Sequence, residues 1–120
     1  MRIFLICPVR KIVSSFWDDE IEAQVMHLQN EGHTVYYPAR DTNQGRSARC
    51  ICQDNRRAME KADVVYVAWD GESQGVLFDL GMAFAMGKPL AVLTGMMPNM
   101  TPGKSFQNLC YGWEESGPEG

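Results

Sequence analysis

Residues 73–86 read SQGVLFDLGMAFAM, and this stretch lies between two apolar runs at residues 64–69 and 89–94. It contains no proline, and its apolar residues occupy every side of a helical projection, which predicts a helix over residues 74–86. The two flanking runs are short and rich in β-branched residues, which is typical of buried strands. A helix between two buried strands is a crossover connection, so the two strands are expected to be parallel.

The same alternation extends towards the N-terminus. Apolar runs at residues 2–7 and 34–38 predict two more strands, and segments of helical period at residues 15–31 and 47–61 predict two more helices. Such a β/α alternation predicts an α/β fold of the flavodoxin-like or Rossmann-like type. We expect a doubly wound parallel sheet of four to five strands with helices on both faces.

The length of 120 residues suits one domain. We assign that domain to residues 1–112 and expect residues 113–120, an acidic segment with glycine and proline, to form a flexible tail. The five-residue apolar run near the N-terminus is too short for a signal peptide or a membrane span, so we expect a cytoplasmic protein that does not contact a membrane.

Charge and cysteine content narrow the classes of ligand. A net charge of −4 and a pI near 5.1 disfavour binding to a nucleic-acid polymer, which requires a basic surface. Four cysteines without a secretory signal are typical of reduced thiols, and their spacing does not match a zinc site. The sequence therefore predicts neither a metal nor another cofactor.

Ligands of open parallel sheets bind beyond the carboxyl ends of the strands, so the segments that follow each strand carry the candidate residues. Ser73 and Gly75 stand at the start of the helix over residues 74–86, where unpaired backbone N–H groups suit an anion. Asp79 lies one turn further along, between Phe78 and Leu80. A carboxylate among apolar groups is costly to bury, which indicates a functional residue, although an aspartate near a helix start also favours the helix dipole.

Residues 73–89 resemble the central motif of nucleoside 2-deoxyribosyltransferases and deoxynucleoside 5′-monophosphate N-glycosidases. That motif consists of Ser or Asp, any residue, Gly, three residues, Glu, Leu and Gly, followed by Gly-Lys-Pro. The chain has Ser73, Gly75, Asp79 and Gly81 in these places, followed by Gly-Lys-Pro at residues 87–89. The resemblance extends over about residues 2–95 and includes Pro8 and Arg10 after the first strand.

The resemblance implies a role for each matching residue. Asp79 takes the place of the nucleophilic glutamate, and Ser73 matches the serine that binds the 5′-phosphate in the glycosidases. Asn55 stands where the family has an acid that handles protonation of the base. The adjacent Asp54 is a second candidate for that catalytic acid, although it points about 100° away around the helix. The other implied substrate-binding residues are Gly75, Pro8 and Arg10, together with Ser105 or Asn108 from a neighbouring subunit. By position alone, the base side is expected to include Arg40, Asp41, Gln44 and Trp69.

Three residues depart from the family pattern. Phe4 replaces a tyrosine near the end of the first strand, Asn55 replaces the acid, and Asp79 is one methylene shorter than glutamate. The matching residues imply cleavage or transfer of the N-glycosidic bond of a nucleoside 5′-monophosphate or nucleoside through a carboxylate nucleophile, whereas the three departures favour a loss of catalysis. The alternative is a non-catalytic nucleotide-binding or sensing module, and a third reading is a flavodoxin-like signalling or partner domain.

The segment 74–86 also bears on assembly. An outer helix that is apolar on all sides cannot bury every side within a small domain, so we expect it to be buried all round by its own sheet and a second subunit. The sequence therefore predicts a homodimer or a higher homo-oligomer.

Overall fold

Four parallel strands form the sheet in the computed structural model, which describes residues 1–9 and 16–119. The strands are β1 (Arg2–Ile6), β2 (Thr34–Tyr36), β3 (Val64–Val67) and β4 (Leu90–Val92), and their order is β2-β1-β3-β4. The predicted site residue Arg10 lies outside the described residues.

Helices cover both faces of this sheet. They are α1 (Phe16–Asn30), the short α2 (Pro38–Asp41), α3 (Ala48–Glu60), α4 (Gln74–Ala85) and α5 (Phe106–Ser116). The Ser47 hydroxyl accepts a hydrogen bond from the Cys50 backbone N–H at 3.3 Å and so caps α3. Gly32 follows α1 with φ of 94°, a left-handed conformation that favours glycine and ends the helix.

The side chains of β1 alternate between two apolar layers, as the two-residue period of a strand requires. Ile3 and Leu5 pack in the layer that contains α1, whereas Phe4 and Ile6 pack in the layer that contains side chains of α3, α4 and α5. This arrangement confirms the predicted α/β fold, with a parallel sheet of four strands and helices on both faces.

The prediction of a flexible tail from residue 113 is wrong for its first residues. Helix α5 continues to Ser116, and Trp113 is only 3% exposed. Its indole Nε1–H donates to the Lys88 carbonyl at 2.8 Å, and its ring packs edge-to-face on Phe84 with centroids 5.2 Å apart. A large aromatic residue gains so much by burial that it anchors the chain end to the domain.

One chain by itself does not bury α4 on all sides, so the expectation that a second subunit completes this burial stays a prediction. Val76, Leu80 and Ala83 are buried in the core, but Phe78 is 56% exposed and Phe84 is 49% exposed. A single sheet covers only one side of a helix, so the apolar residues on the other side lie at the surface.

The strand order determines where a ligand fits. In the order β2-β1-β3-β4 strand β2 lies on one side of β1, whereas β3 and β4 lie on the other, so the direction in which strands are added reverses between β1 and β3. A crevice opens at this point, beyond the carboxyl ends of these two strands. Within the described part of the chain, no helix has the length and apolar character needed to cross a membrane.

Candidate active site

A cleft of about 390 Å³ lies at this reversal point. One wall of the cleft consists of residues 7–9, which follow β1. Another part of the cleft is formed by Ser73 and the first turns of α4, which follow β3. Six of the residues predicted from the sequence line the cleft together: Pro8, Gln44, Asn55, Ser73, Gly75 and Asp79.

Asp79 presents a half-buried carboxyl group to the cleft, and within the described residues it has no hydrogen-bond or ion-pair partner. Burial disfavours its charged form and raises its pKa from the ordinary value of 3.8 to about 7. Burial also raises the pKa of the adjacent Cys7 thiol to about 12, and the charge of Asp79 acts in the same direction. At neutral pH the site therefore holds a neutral thiol beside a carboxyl group that is ready to ionise.

The start of α4 forms one end of the cleft. The Asp70 carboxylate accepts hydrogen bonds from the Ser73 backbone N–H at 2.8 Å and from the Ser73 hydroxyl at 3.0 Å, which holds the turn before the helix. A methyl group added at Gly75 would have no heavy atom within 4 Å, so the backbone of Gly75 faces open space. This end of the cleft offers unpaired helix amides to a ligand.

Helix α3 forms the opposite wall through Ile51, Cys52 and Asn55. Asn55 is only 7% exposed, and its Oδ1 accepts a hydrogen bond from the Thr42 hydroxyl at 2.8 Å. Phe4, which departs from the family tyrosine, is fully buried and stacks on Tyr36 with centroids 5.5 Å apart. The ring of Phe4 therefore belongs to the core below the cleft.

Asp54 does not reach the cleft, although it was predicted as a possible catalytic acid. Its carboxylate pairs with Arg46 at 2.6 Å and with Arg57 at 3.6 Å. It lines a separate hollow of about 520 Å³ along α3, β2 and the start of β1. The helical rotation of about 100° between neighbouring residues separates Asp54 from Asn55.

Arg40 and Asp41 are also absent from the cleft, contrary to the prediction that they lie on the base side. Arg40 Nε lies 2.8 Å from Asp41 Oδ1. Hydrogen bonding from the guanidinium stabilises the charged carboxylate and so lowers the pKa of Asp41. Arg40 also donates to the Val35 carbonyl at 2.7 Å. The two side chains thus hold the turn after β2, and Asp41 faces the separate hollow.

Trp69 was predicted on the base side, but it is buried in the core and does not line the cleft. Its Nε1–H donates to the Ser73 carbonyl at 3.2 Å, and its ring packs edge-to-face on Phe106. The indole therefore supports the loop that carries Ser73.

Ser105 and Asn108 both stabilise the start of α5. The Ser105 hydroxyl accepts from the Asn108 backbone N–H at 3.2 Å, and the Asn108 side chain bonds the backbone of Thr101 and Gly103. Neither residue lines the cleft of its own chain. Their contribution to the site of a neighbouring subunit remains a prediction.

Sequence reasoning missed several cleft residues. Ile51, Cys52 and Phe78 line the cleft without having been predicted there. Ile51 and Cys52 precede Asn55 by four and three residues, and this helical spacing places them on the same face. Within residues 1–9 and 16–119, no cluster of three metal-binding side chains occurs.

Comparison with known proteins adds a family to this geometry. The family model described as nucleoside 2-deoxyribosyltransferase matches residues 14–115. A 2-deoxyribosyltransferase structure from Bacillus psychrosaccharolyticus is 20% identical, with a TM-score of 0.63, and the match covers 82% of this chain and 77% of that one. The CMP N-glycosidase of Clostridium botulinum is 22% identical, with a TM-score of 0.56, and the match covers 77% and 67%. No curated protein sequence matches significantly.

Proposed function

Because the chain belongs to the nucleoside 2-deoxyribosyltransferase family, we propose that it cleaves or transfers the N-glycosidic bond of a nucleoside 5′-monophosphate or nucleoside. The observation that carries this proposal is the Asp79 carboxyl group, half-buried and without a partner among the described residues, in the cleft beyond β1 and β3. The protein would require no cofactor, because a carboxylate by itself supplies the nucleophile of this chemistry.

In the proposed reaction an ionised Asp79 oxygen attacks the anomeric carbon of the sugar. A C–O ester bond forms while the C–N bond breaks, and its electron pair stays on the base, which takes a proton from water. In the second step a water molecule, or a nitrogen of a second base, attacks the same carbon, loses a proton to solvent and releases the Asp79 carboxylate. The pKa near 7 supports this role, because a poorly solvated carboxylate that ionises near neutral pH is a reactive nucleophile.

The start of α4 supports a 5′-phosphate at the other end of the substrate. The backbone N–H groups of Gly75 and its neighbours suit an anion, and Gly75 leaves room for it. Binding of a phosphate requires the Ser73 hydroxyl to exchange its 3.0 Å bond with Asp70 for a bond with the phosphate. That existing bond favours a nucleoside, with a 5′-hydroxyl in place of the phosphate, as the second candidate substrate.

A non-catalytic nucleotide-binding or sensing module is the alternative function. Asn55 favours it, because an amide cannot deliver the proton that an acid at this position would supply to the base. The measurements that separate the two functions are release of base and binding of nucleotide.

Chromatography of the bases released from a panel of nucleoside 5′-monophosphates and nucleosides tests the proposal, with and without an added acceptor base. We expect release by the wild type and none by Asp79→Ala. Asp54→Asn is the matched control, because Asp54 lies outside the cleft, and it should retain activity. Nucleotide binding without any base release would establish the non-catalytic alternative, and activity in Asp79→Ala would exclude Asp79 as the nucleophile.

We also propose that a second copy of the chain packs on the exposed apolar side chains of α4. Phe78 borders the cleft as well as this surface, so a second copy on Phe78 would restrict access of water to Asp79. In such an assembly Ser105 or Asn108 of the second copy is the proposed contribution to the site. Sedimentation should therefore give a mass above 13.5 kDa, and a monomer would refute the shared site. The four free cysteines support a reducing compartment such as the cytoplasm.

A further inference from the structure

Three side chains form a hydrogen-bonded series that ends at the cleft. The Tyr36 hydroxyl lies 2.6 Å from the Thr42 hydroxyl, and the Thr42 hydroxyl donates to Asn55 Oδ1 at 2.8 Å. Thr42 is 5% exposed and Asn55 is 7% exposed. Among the described residues these are the two buried polar side chains, so an unmade hydrogen bond at either one destabilises the folded state.

The series has a direction because a threonine hydroxyl carries a single hydrogen. Thr42 uses that hydrogen for Asn55 Oδ1, so it accepts the hydrogen of Tyr36. The acceptor atom of the Asn55 amide is thereby occupied. Its Nδ2 group has no hydrogen-bond partner within the described residues, and Asn55 lines the cleft. The cleft wall therefore contains a buried hydrogen-bond donor that lacks an acceptor.

A donor in this position selects its ligand. A buried N–H group without an acceptor is destabilising, and a second donor brought against it cannot satisfy it. We propose that Asn55 is a specificity-determining residue that selects a base bearing a keto oxygen over one bearing an amino group, with Thr42 and Tyr36 as positioning residues. The inference rests on the proposed function only in taking the cleft as the site of the base.

The same contact would assist bond cleavage. When the C–N bond breaks, its electron pair moves onto the base and is shared with the keto oxygen by delocalisation. A hydrogen bond from Asn55 Nδ2 to that oxygen stabilises the developing negative charge, and the amide keeps its protons throughout. This contact supplies part of what a protonating acid would supply, with the proton coming later from water.

Calorimetric titration tests the inference in an Asp79→Ala background, which adds no hydrogen-bonding group and leaves the nucleotide intact. The probes are deoxyuridine and deoxycytidine 5′-monophosphate, and a second pair is deoxyinosine and deoxyadenosine 5′-monophosphate. The members of each pair differ chiefly in a keto or an amino group. With Asn55 in place, the keto member should bind at least about tenfold more tightly.

Three variants separate the role of Asn55 from general stability. Asn55→Asp converts the donor into an acceptor of similar shape, so the preference should reverse towards the amino member. Thr42→Val removes the hydroxyl that orients the amide and should bring the ratio of affinities close to one. Thr42→Ser retains the hydroxyl and should therefore retain the preference for the keto member. If Thr42 acted only by packing its methyl group, retention of the hydroxyl would not be enough to keep this preference.

The inference would be overturned if keto and amino nucleotides bound equally, or if the amino nucleotide bound more tightly with Asn55 in place. It would also be overturned if Asn55→Asp left the ratio of the two affinities unchanged, or if no probe bound. Its failure is distinguishable from failure of the proposed function, because binding is measured without Asp79. A keto preference without base release by the wild type would leave the inference standing and exclude the enzyme. Base release without a keto preference would overturn the inference and leave the proposed enzyme activity standing.

Discussion

Replacement of Asp79 by asparagine should stabilise the fold at neutral and alkaline pH while it abolishes catalysis. In the unfolded chain this carboxyl group ionises near its ordinary pKa of 3.8, whereas burial raises the pKa to about 7 in the folded protein. Between these values the folded state binds more protons, so the free energy of unfolding falls as the pH rises. The contribution of the neutral carboxyl group is complete below about pH 4 and is lost above about pH 7.

The size of this effect follows from the two pKa values. Each pKa unit corresponds to about 1.4 kcal/mol, so ionisable Asp79 should cost the folded state about 1.5 kcal/mol at pH 5 and about 4 kcal/mol at pH 8. Asparagine has a similar shape and no titratable proton. The stability gained by the variant over the wild type should therefore grow by about 2.5 kcal/mol between pH 5 and pH 8.

Urea unfolding followed by tryptophan fluorescence measures this difference at a series of pH values. Asp19→Asn is the matched control, because Asp19 is exposed on α1, and it should change stability by no more than about 0.5 kcal/mol. The wild-type kcat/KM should also rise with pH through about 7, as the nucleophile ionises. A gain that does not grow between pH 5 and pH 8, or a variant less stable than the wild type at pH 8, would refute the reasoning.

Three further predictions concern the cleft, the core and the thiols. Gly75→Ala should weaken nucleotide binding about tenfold in calorimetry, because its methyl group enters the cleft. Gly81→Ala, whose methyl group also meets no atom within 4 Å, should leave binding unchanged and stabilise α4 by about 0.5–1 kcal/mol. Equal binding by both variants would contradict this reasoning. Trp113→Ala should cost about 3–5 kcal/mol in urea unfolding, and a loss below about 1 kcal/mol would mean that the C-terminal segment is not anchored. A hydrogen bond with the Ser47 hydroxyl and the positive charge of Arg46 lower the pKa of the Cys50 thiol. Burial raises the pKa of the Cys7 thiol to about 12. Iodoacetamide at about pH 8 should therefore label Cys50 first in peptide mass spectrometry, and faster labelling of Cys7 would show that its wall of the cleft is open.

The strands and three long helices could be predicted because each follows a local period. Helix α4 was predicted over residues 74–86 and observed as Gln74–Ala85, since its apolar residues and its polar start are neighbours in the chain. Helix α5 was missed. Its buried residues Cys110 and Trp113 have helical spacing after the capping Ser105, but the glycines and prolines around them obscured that signal.

The cleft was predictable in part, for a different reason. Ser73, Gly75 and Asp79 lie within one strand-to-helix segment, so a motif brings them to the same place. Arg40 and Trp69 were assigned by position after a strand, and the direction of a side chain does not follow from that position. Arg40 pairs with its neighbour Asp41, and Trp69 packs in the core, because both gain more from those contacts than from facing a polar cleft.

The sequence alone determined the β/α alternation, the parallel sheet and the placement of Asp79 one turn inside an apolar helix, because these features depend on residues close together in the chain. Only the tertiary structure decided that Asn55 faces Asp79 across one cleft and that Thr42 occupies the Asn55 acceptor. These relations join segments that are distant in sequence, and the packing of α3 and α4 on the sheet determines them. Whether a side chain reacts, recognises or merely supports depends on those partners and not on its residue type.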